Sequence, residues 1–354
     1  MESGGLHFYM YADKDFYRAA WGKAYTEDPP VPLNVDLELA SVCNLECPFC
    51  FYADKNWDAF IREKGTDGKP RARFMPTELA LRIIDQAAEL GVPALKMNWR
   101  GESTLHPGYQ SILEYAGLHS YYGPNPKPTF ATTAPEGMQG FDLKSPRFHD
   151  ILVNTNANCP DSAIIGLMYA TKVMVSLDSL VPETYAKMRV GGKLERAKEV
   201  IKEIIRRRHP NLWVRRVLTK DNLDEPFARM VRDEFGDYPH ISEHYCKDRN
   251  EASKHQVECV HDSRRTYCGY PSQRVVVASS GLCYPCCVDL AEEMPIGDVK
   301  TQSLKEIWES HQVKALRSEL RAGNLKSKAC QNCTSWMSYD APQRQYVQDV
   351  EVKA

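Results

Sequence analysis

The chain contains no uninterrupted run of about 18 apolar residues, so no segment has the length and composition of a membrane-spanning helix. It also has little excess charge: 45 Lys and Arg stand against 47 Asp and Glu, which removes any strong field toward nucleic acid or an anionic membrane. Recognition of a substrate must therefore be local. The opening "MESGGLHFYMYADKDFYRAA" lacks the apolar centre of a signal peptide, and the expected address is cytoplasmic, with no membrane or nucleic-acid partner. No internal repeat is present, and the 10 histidines show no metal-ligand spacing. In a reducing compartment 12 cysteines do not make a disulfide framework, which turns attention to metal or redox use.

What the chain does have is three thiols close together. In "SVCNLECPFCFY", Cys43, Cys47 and Cys50 are separated by three residues and then two, with no fourth cysteine nearby. A structural zinc site closes with four ligands; three thiolates leave a coordination position open. The strand-like alternation of "PLNVDLELA" runs directly into these cysteines, which places them at the C-terminal end of a first strand.

Further along, "MPTELALRIIDQAAELG" predicts a helix with Thr77 as N-cap and Gly91 as its stop, and "VPALKMNW" predicts a second strand. Strands over "HDILVNTNA", "YATKVMVSLDS" and "NLWVRRVLTK" follow, with helices over "KLERAKEVIKEIIRRR" and from about Asp224 to Phe235. This alternation predicts βα units around a parallel sheet, with the active site at the C-terminal strand ends. Residues 52–74 and 117–141, rich in Gly, Pro, charge and aromatics, read either as surface insertions or as loops that cover the mouth of that site.

The CxxxCxxC arrangement after a first strand, with Phe49 before the third cysteine, resembles the signature of the radical S-adenosylmethionine (SAM) superfamily. That resemblance implies an α/β fold, an incomplete (β/α)6 TIM-like barrel over 30–245, after an N-terminal extension, 1–29. It implies a [4Fe–4S] cluster held by Cys43, Cys47 and Cys50, with SAM chelating the remaining iron. Soft thiolates suit such a cluster. The resemblance carries SAM contacts onto Gly101 and Glu102 in "WRGESTLHP", flanked here by Arg100 and Ser103, and onto Ser176 and Asp178 in "VSLDS". Arg189 matches a further cofactor-side position, and Asn154 and Asn156 in "VNTNAN" align with a third-strand segment of that family.

A second cysteine set lies near the C-terminus. Cys268 is followed after 12 residues by Gly281 and after four more by Cys286; Cys330 and Cys333 form CxxC. With "MPIGDVKTQSLKEIWES" between the halves, this resembles the SPASM/twitch extensions of radical SAM enzymes, over 246–340 with a tail at 341–354. The resemblance implies one auxiliary [4Fe–4S] cluster on Cys268, Cys286, Cys330 and Cys333; a zinc site from the same thiols is the structural alternative. Cys283 and Cys287 flank Cys286 and leave that ligand choice open, while Cys159, Cys246 and Cys259 read as ordinary buried thiols.

The functional expectation is reductive cleavage of SAM to a 5′-deoxyadenosyl radical, hydrogen abstraction from a substrate and an auxiliary cluster that accepts an electron. A flavodoxin- or ferredoxin-type donor would supply the reductant. Modification of a peptide or protein side chain is slightly favoured; the alternatives are oxidation or rearrangement of a small polar metabolite, such as a sugar, aminocyclitol or nucleotide, and a zinc-stabilised interaction module. Only some 30 residues precede the first strand, too few for the winged-helix peptide-binding domain that peptide-modifying relatives often carry. No residue is singled out as catalytic acid or base.

Overall fold

The computed structural model describes residues 14–50, 74–120, 148–245, 268–324, 326–331 and 333. The predicted insertions, the C-terminal tail, Cys246 and Cys259 lie wholly or largely outside these residues. Six parallel strands form in chain order: β1 (Asn34–Leu37), β2 (Ala94–Lys96), β3 (Asp150–Thr155), β4 (Lys172–Ser176), β5 (Leu212–Leu218) and β6 (His240–Tyr245). Each pairs with its predecessor, but β6 does not return to β1. The barrel is thus incomplete, as the sequence implied. The free side of β1 is taken by β7 (Arg274–Val277), parallel and in register from Asn34↔Arg274 to Leu37↔Val277. Two antiparallel strands, β8 (Leu282–Tyr284) and β9 (Gly297–Asp298), continue the same sheet, so the cysteine-rich C-terminal part is joined to the barrel through backbone hydrogen bonds.

The helices between the strands are α2 (Thr77–Leu90), α3 (Tyr109–Leu118), α4 (Asp161–Leu167), α5 (Pro182–Met188), α6 (Leu194–Arg206) and α7 (Phe227–Phe235). On α6 the buried residues Ala197, Val200, Ile201 and Ile204 recur at helical spacing, and they belong to one hydrophobic core with the strand residues Val173, Val175 and Val214. The alternate residues face inward and include polar groups, Asn34 and Asp36 on β1, Lys96 on β2, Asn154 on β3, Ser176 on β4, Arg215 on β5 and Ser242 on β6, beside the apolar Leu152, Met174, Trp213 and Val217. An apolar outer face and an inner face that carries polar groups suit a barrel that encloses a polar site.

Two expected boundaries shift. Thr77 is the first helical residue of α2 and Pro76 takes the N-cap position, with no side-chain cap; the helix stops as expected at Gly91, whose φ of 78° is left-handed. The last barrel helix starts at Phe227 rather than near Asp224, because Pro226 disfavours helical geometry in the residue before it. Before the barrel, α1 (Lys14–Lys23) buries Tyr17 and Ala20, and Tyr17 donates to Asp150 at 2.9 Å, at the start of β3. This helix therefore lies at the N-terminal ends of the strands, away from Cys43, Cys47 and Cys50, while its Trp21 ring lies 5.5 Å from the Arg274 guanidinium of β7. Among the described residues no helix is long and apolar enough to cross a membrane.

Candidate functional site

The three thiols lie on the loop after β1, at the C-terminal end of the sheet. Cys47 is buried and Cys43 and Cys50 are half-buried. Burial, with the Glu102 carboxylate next, pushes the Cys43 thiol up to about 12, and Cys47 and Cys50 add to the shift, so the three sulfurs lie within electrostatic reach of one another. Burial also raises Cys47, against the pull of Arg189. N–H groups already point at the sulfurs: Leu45 N donates to Cys43 Sγ at 3.4 Å, Asn156 Nδ2 to Cys43 Sγ at 3.8 Å and Arg189 Nη1 to Cys47 Sγ at 3.5 Å. Such donors stabilise anionic sulfur, and binding a soft metal is what would keep these buried thiols deprotonated. The donor set therefore fits a thiolate-held iron–sulfur cluster.

The loop after β2 is pressed onto the cysteine loop. Gly101 adopts φ of 65°, and a Cβ there would stand 2.4 Å from the Ala40 carbonyl oxygen and 2.6 Å from that of Val42. Only glycine fits both the conformation and the approach. The next amide, Glu102 N, donates to Val42 O at 2.8 Å. The Glu102 carboxylate is buried and accepts from Thr104 Oγ1 at 2.6 Å, from Thr104 N at 3.3 Å and from Asn156 N at 2.7 Å. Burial pushes its pKa up, against these hydrogen bonds. Glu102 thus binds the β2 loop to the β3 exit. Asn156 completes the link by donating to Asn44 Oδ1 at 2.9 Å.

Beyond β4, Asp178 is fully buried in a left-handed conformation at φ of 65°. Its Oδ1 accepts from Val217 N at 2.7 Å and its Oδ2 lies 2.5 Å from Arg189 Nε. Burial opposes the Arg189 charge, but Asp178 and then Cys47 outweigh it and hold the guanidinium pKa above its ordinary value. The same guanidinium lies 5.5 Å from the Phe49 ring centroid. Asp178 therefore reaches the cysteine loop through Arg189. Ser176 is half-buried at the end of β4, paired across the sheet with Arg215, which pairs with Ser242. On β3 the Asn154 Oδ1 is buried with no hydrogen-bond partner among the described residues.

In the C-terminal part, Cys268 lies within electrostatic reach of Cys286, which accepts from Val288 N at 3.3 Å. Cys330 and Cys333 share the turn of α8 (Lys328–Gln331), with Cys333 N donating to Cys330 O at 3.3 Å. Cys330 Sγ lies 3.8 Å from Met294 Sδ, on the loop that continues from Cys286. Sequence reasoning left Cys283 and Cys287 open, and their surroundings differ. Cys283 sits on β8 inside the hydrophobic core, where burial raises its pKa. Cys287 lies against Cys286; a hydrogen bond with the Cys286 thiol, and then the Arg274 charge, hold its pKa below the ordinary thiol range against burial, and it takes an N–H from Arg274 Nη1 at 3.6 Å. Cys159 is a buried core thiol, raised by burial to about 12. Among the described residues no three ligand-type side chains converge as in a closed metal site.

Sequence reasoning also passed over a buried ionic group. Arg100 pairs with Glu38 through Nε at 2.6 Å and Nη2 at 2.9 Å, and Nη2 lies 2.5 Å from Glu292 Oε1. The usable signal was "NVDLELA" itself: Asp36 stands on a strand buried on both faces and Glu38 directly follows it, also buried, where an acid needs a partner.

An open parallel barrel with a thiol trio after β1, continued by a cysteine-bearing sheet extension, defines the class of iron–sulfur proteins that act on SAM. The chain belongs to the radical SAM superfamily, whose sequence profile matches residues 37–233, and an iron-sulfur cluster-binding SPASM domain follows at 268–334. It is an enzyme whose cofactors are SAM, a [4Fe–4S] cluster and an auxiliary iron–sulfur cluster. A probable GTP 3′,8-cyclase of Methanococcus maripaludis is 25% identical over 171 residues, 48% of this chain and 44% of that protein. The S-adenosyl-L-methionine-dependent 2-deoxy-scyllo-inosamine dehydrogenase of Niallia circulans is 31% identical over 81 residues, 23% of this chain and 32% of that one. The chain thus spans less than half the length of these curated relatives. Streptococcus suis SuiB bound to precursor peptide SuiA shares the fold at a TM-score of 0.59 and 15% identity, over 90% of this chain and 72% of that one. BtrN in complex with AdoMet and 2-DOIA does so at 0.50 and 15%, over 87% and 94%.

Proposed function

We propose that the enzyme oxidises a small polar substrate by radical chemistry, with Cys43, Cys47 and Cys50 holding the barrel cluster and Cys268, Cys286, Cys330 and Cys333 the auxiliary one. Cluster-bound SAM, when present, supplies a 5′-deoxyadenosyl radical that takes a hydrogen atom from a substrate C–H bond, and the auxiliary cluster supplies an acceptor for one electron. Loss of a hydrogen atom, a proton and an electron turns a carbinol carbon into a carbonyl. In this reading Gly101 and Glu102 shape the SAM pocket against the cysteine loop. Arg189, positioned by Asp178, and Phe49 face the barrel cluster, while Asn154 and Ser176 line the cofactor side of the inner face. An external flavodoxin- or ferredoxin-type protein delivers the reducing electron.

The observation that supports a small polar substrate over the slightly favoured peptide reading is the inner face of the barrel. Asp36, Lys96, Arg215 and Arg274 line it, and Ser242 Oγ is buried there without a hydrogen-bond partner among the described residues. A buried hydroxyl in a polar enclosure is completed by hydrogen-bonding groups on a ligand.

The test is anaerobic reconstitution with SAM, dithionite and two panels, aminocyclitols and sugar alcohols in one and unmodified peptides in the other. 5′-Deoxyadenosine that rises with a polyol and carries its deuterium is the expected result. S-adenosylhomocysteine without 5′-deoxyadenosine would overturn the radical reading, and stimulation by peptides alone would overturn the substrate class. Cys330→Ala with Cys333→Ala should lower iron by about one cluster and leave SAM cleavage largely intact.

A further inference from the structure

Residues 99 to 102 are one short stretch with two grips. Toward the barrel, the Gly101 Cα faces the Ala40 and Val42 carbonyl oxygens, and Glu102 N donates to Val42 O, one residue before Cys43. Toward the C-terminal part, Trp99 Nε1 donates to the carbonyl of Cys287 at 2.9 Å, and Arg100 Nη1 donates to the carbonyl of Leu290 at 3.0 Å. The Arg100 side chain is fully buried, bidentate on Glu38 and ion-paired to Glu292, with its guanidinium 3.9 Å from the Trp99 ring centroid. Ser279, on the β7–β8 turn, donates to Glu38 through its N at 3.0 Å and its Oγ at 3.1 Å. Glu292 is held at φ of 61°, a conformation that a non-glycine residue keeps only when its surroundings enforce it.

The loop so gripped runs from Cys286 to Met294, the residue that touches Cys330 Sγ. One rigid segment thus fastens the loop of the barrel thiols on one side and the loop of the auxiliary thiols on the other. We infer that Arg100, with Glu38 and Glu292, is a positioning residue that fixes the distance and orientation between the two iron–sulfur centres. A bidentate guanidinium between two carboxylates suits this task, because it fixes direction as well as separation, which lysine does not. Electron transfer from a substrate radical to the auxiliary centre depends steeply on that distance, whereas SAM cleavage at the barrel centre does not. The inference rests on the ligand assignment proposed above.

Two variants test it. Glu292→Asn tolerates the left-handed backbone, is too short to reach Arg100 and leaves the Arg100–Glu38 pair charge-balanced; Arg100→Lys keeps the charge and loses the fork. The readout is magnetic: the dipolar broadening and relaxation of the two reduced clusters in pulsed electron paramagnetic resonance, with iron and sulfide counted per chain. Both variants should retain two clusters and form 5′-deoxyadenosine within about twofold of the parent, while the intercluster broadening shifts or spreads into a distribution. Loss of iron from the auxiliary centre alone also supports the link. Unchanged broadening in both variants overturns the inference, as does loss of iron from both centres in Glu292→Asn, which marks a general folding role. Cys330→Ala with Cys333→Ala separates the two failures: unaltered iron there overturns the ligand assignment itself.

Discussion

Replacing Asp178 by Asn would remove one charge from a buried pair and little else. The new side chain keeps an oxygen for Val217 N, now 2.7 Å from Oδ1, and Asn tolerates the φ of 65° at this position. What changes is Arg189, whose guanidinium lies 2.5 Å from the lost charge and is almost wholly buried. Leaving a buried charge without its counterion costs about 3–5 kcal/mol. For a chain of 354 residues, unfolding entropy is about 0.7 kcal/mol per degree, so the melting point should fall by about 4–7 °C. The Cys47 side of the site should suffer as well, because Arg189 Nη1 donates to Cys47 Sγ at 3.5 Å and an unpaired guanidinium will seek water or Glu and Asp neighbours instead. Differential scanning fluorimetry of the unreconstituted protein gives the first number, and iron content after reconstitution gives the second. Asp178→Asn with Arg189→Met, which removes both charges, should recover most of the lost stability. A single variant that melts within about 1 °C of the parent and loads iron normally would refute the dependence of Arg189 on Asp178.

Gly101→Ala should cost about 1–2 kcal/mol from the left-handed backbone alone, and more from the carbonyl oxygens at 2.4 and 2.6 Å; iron in the barrel cluster should fall, and normal loading would refute the close-approach reading. His106 and His209 are buried neutral rings: each pairs Nε2 with a carbonyl oxygen, Met75 O at 2.6 Å and Ala170 O at 2.9 Å, and accepts a backbone N–H at Nδ1. Burial lowers both pKa values below the unfolded value of about 6.5, so their contribution is complete above that pH and is lost as pH falls toward the lowered folded values. Denaturant titrations between about pH 7 and pH 5 should show stability falling, with a flatter slope in His106→Gln and His209→Gln; equal slopes would refute it.

The barrel was legible because its signals are local. Alternation in "HDILVNTNA" and "NLWVRRVLTK", the helical spacing in α6 and the left-handed stop at Gly91 each depend on neighbours within a few residues. The thiol trio and the C-terminal CxxC were legible for the same reason, since the chemistry resides in short spacings. The side-chain partners were not. Asp178 is matched as a cofactor contact by its place after β4, yet it points at Arg189, 11 residues away, and both of its oxygens are used. Glu102 spends its carboxylate on Thr104 and Asn156. Arg189 stands at the far end of α5 and Asn156 at the exit of another strand, and separation along the chain carries no information about either contact.

From the sequence by itself came the order of strands and helices, the positions of the thiols and the class of chemistry they serve, because period, turn residues and ligand spacing act over a few residues at a time. Tertiary structure alone decided that β7 joins β1, so that the auxiliary part extends the barrel sheet instead of hanging from a linker. It alone brought Glu38, Arg100 and Glu292 together across 254 positions of chain, where burial forces a guanidinium and two carboxylates to satisfy one another.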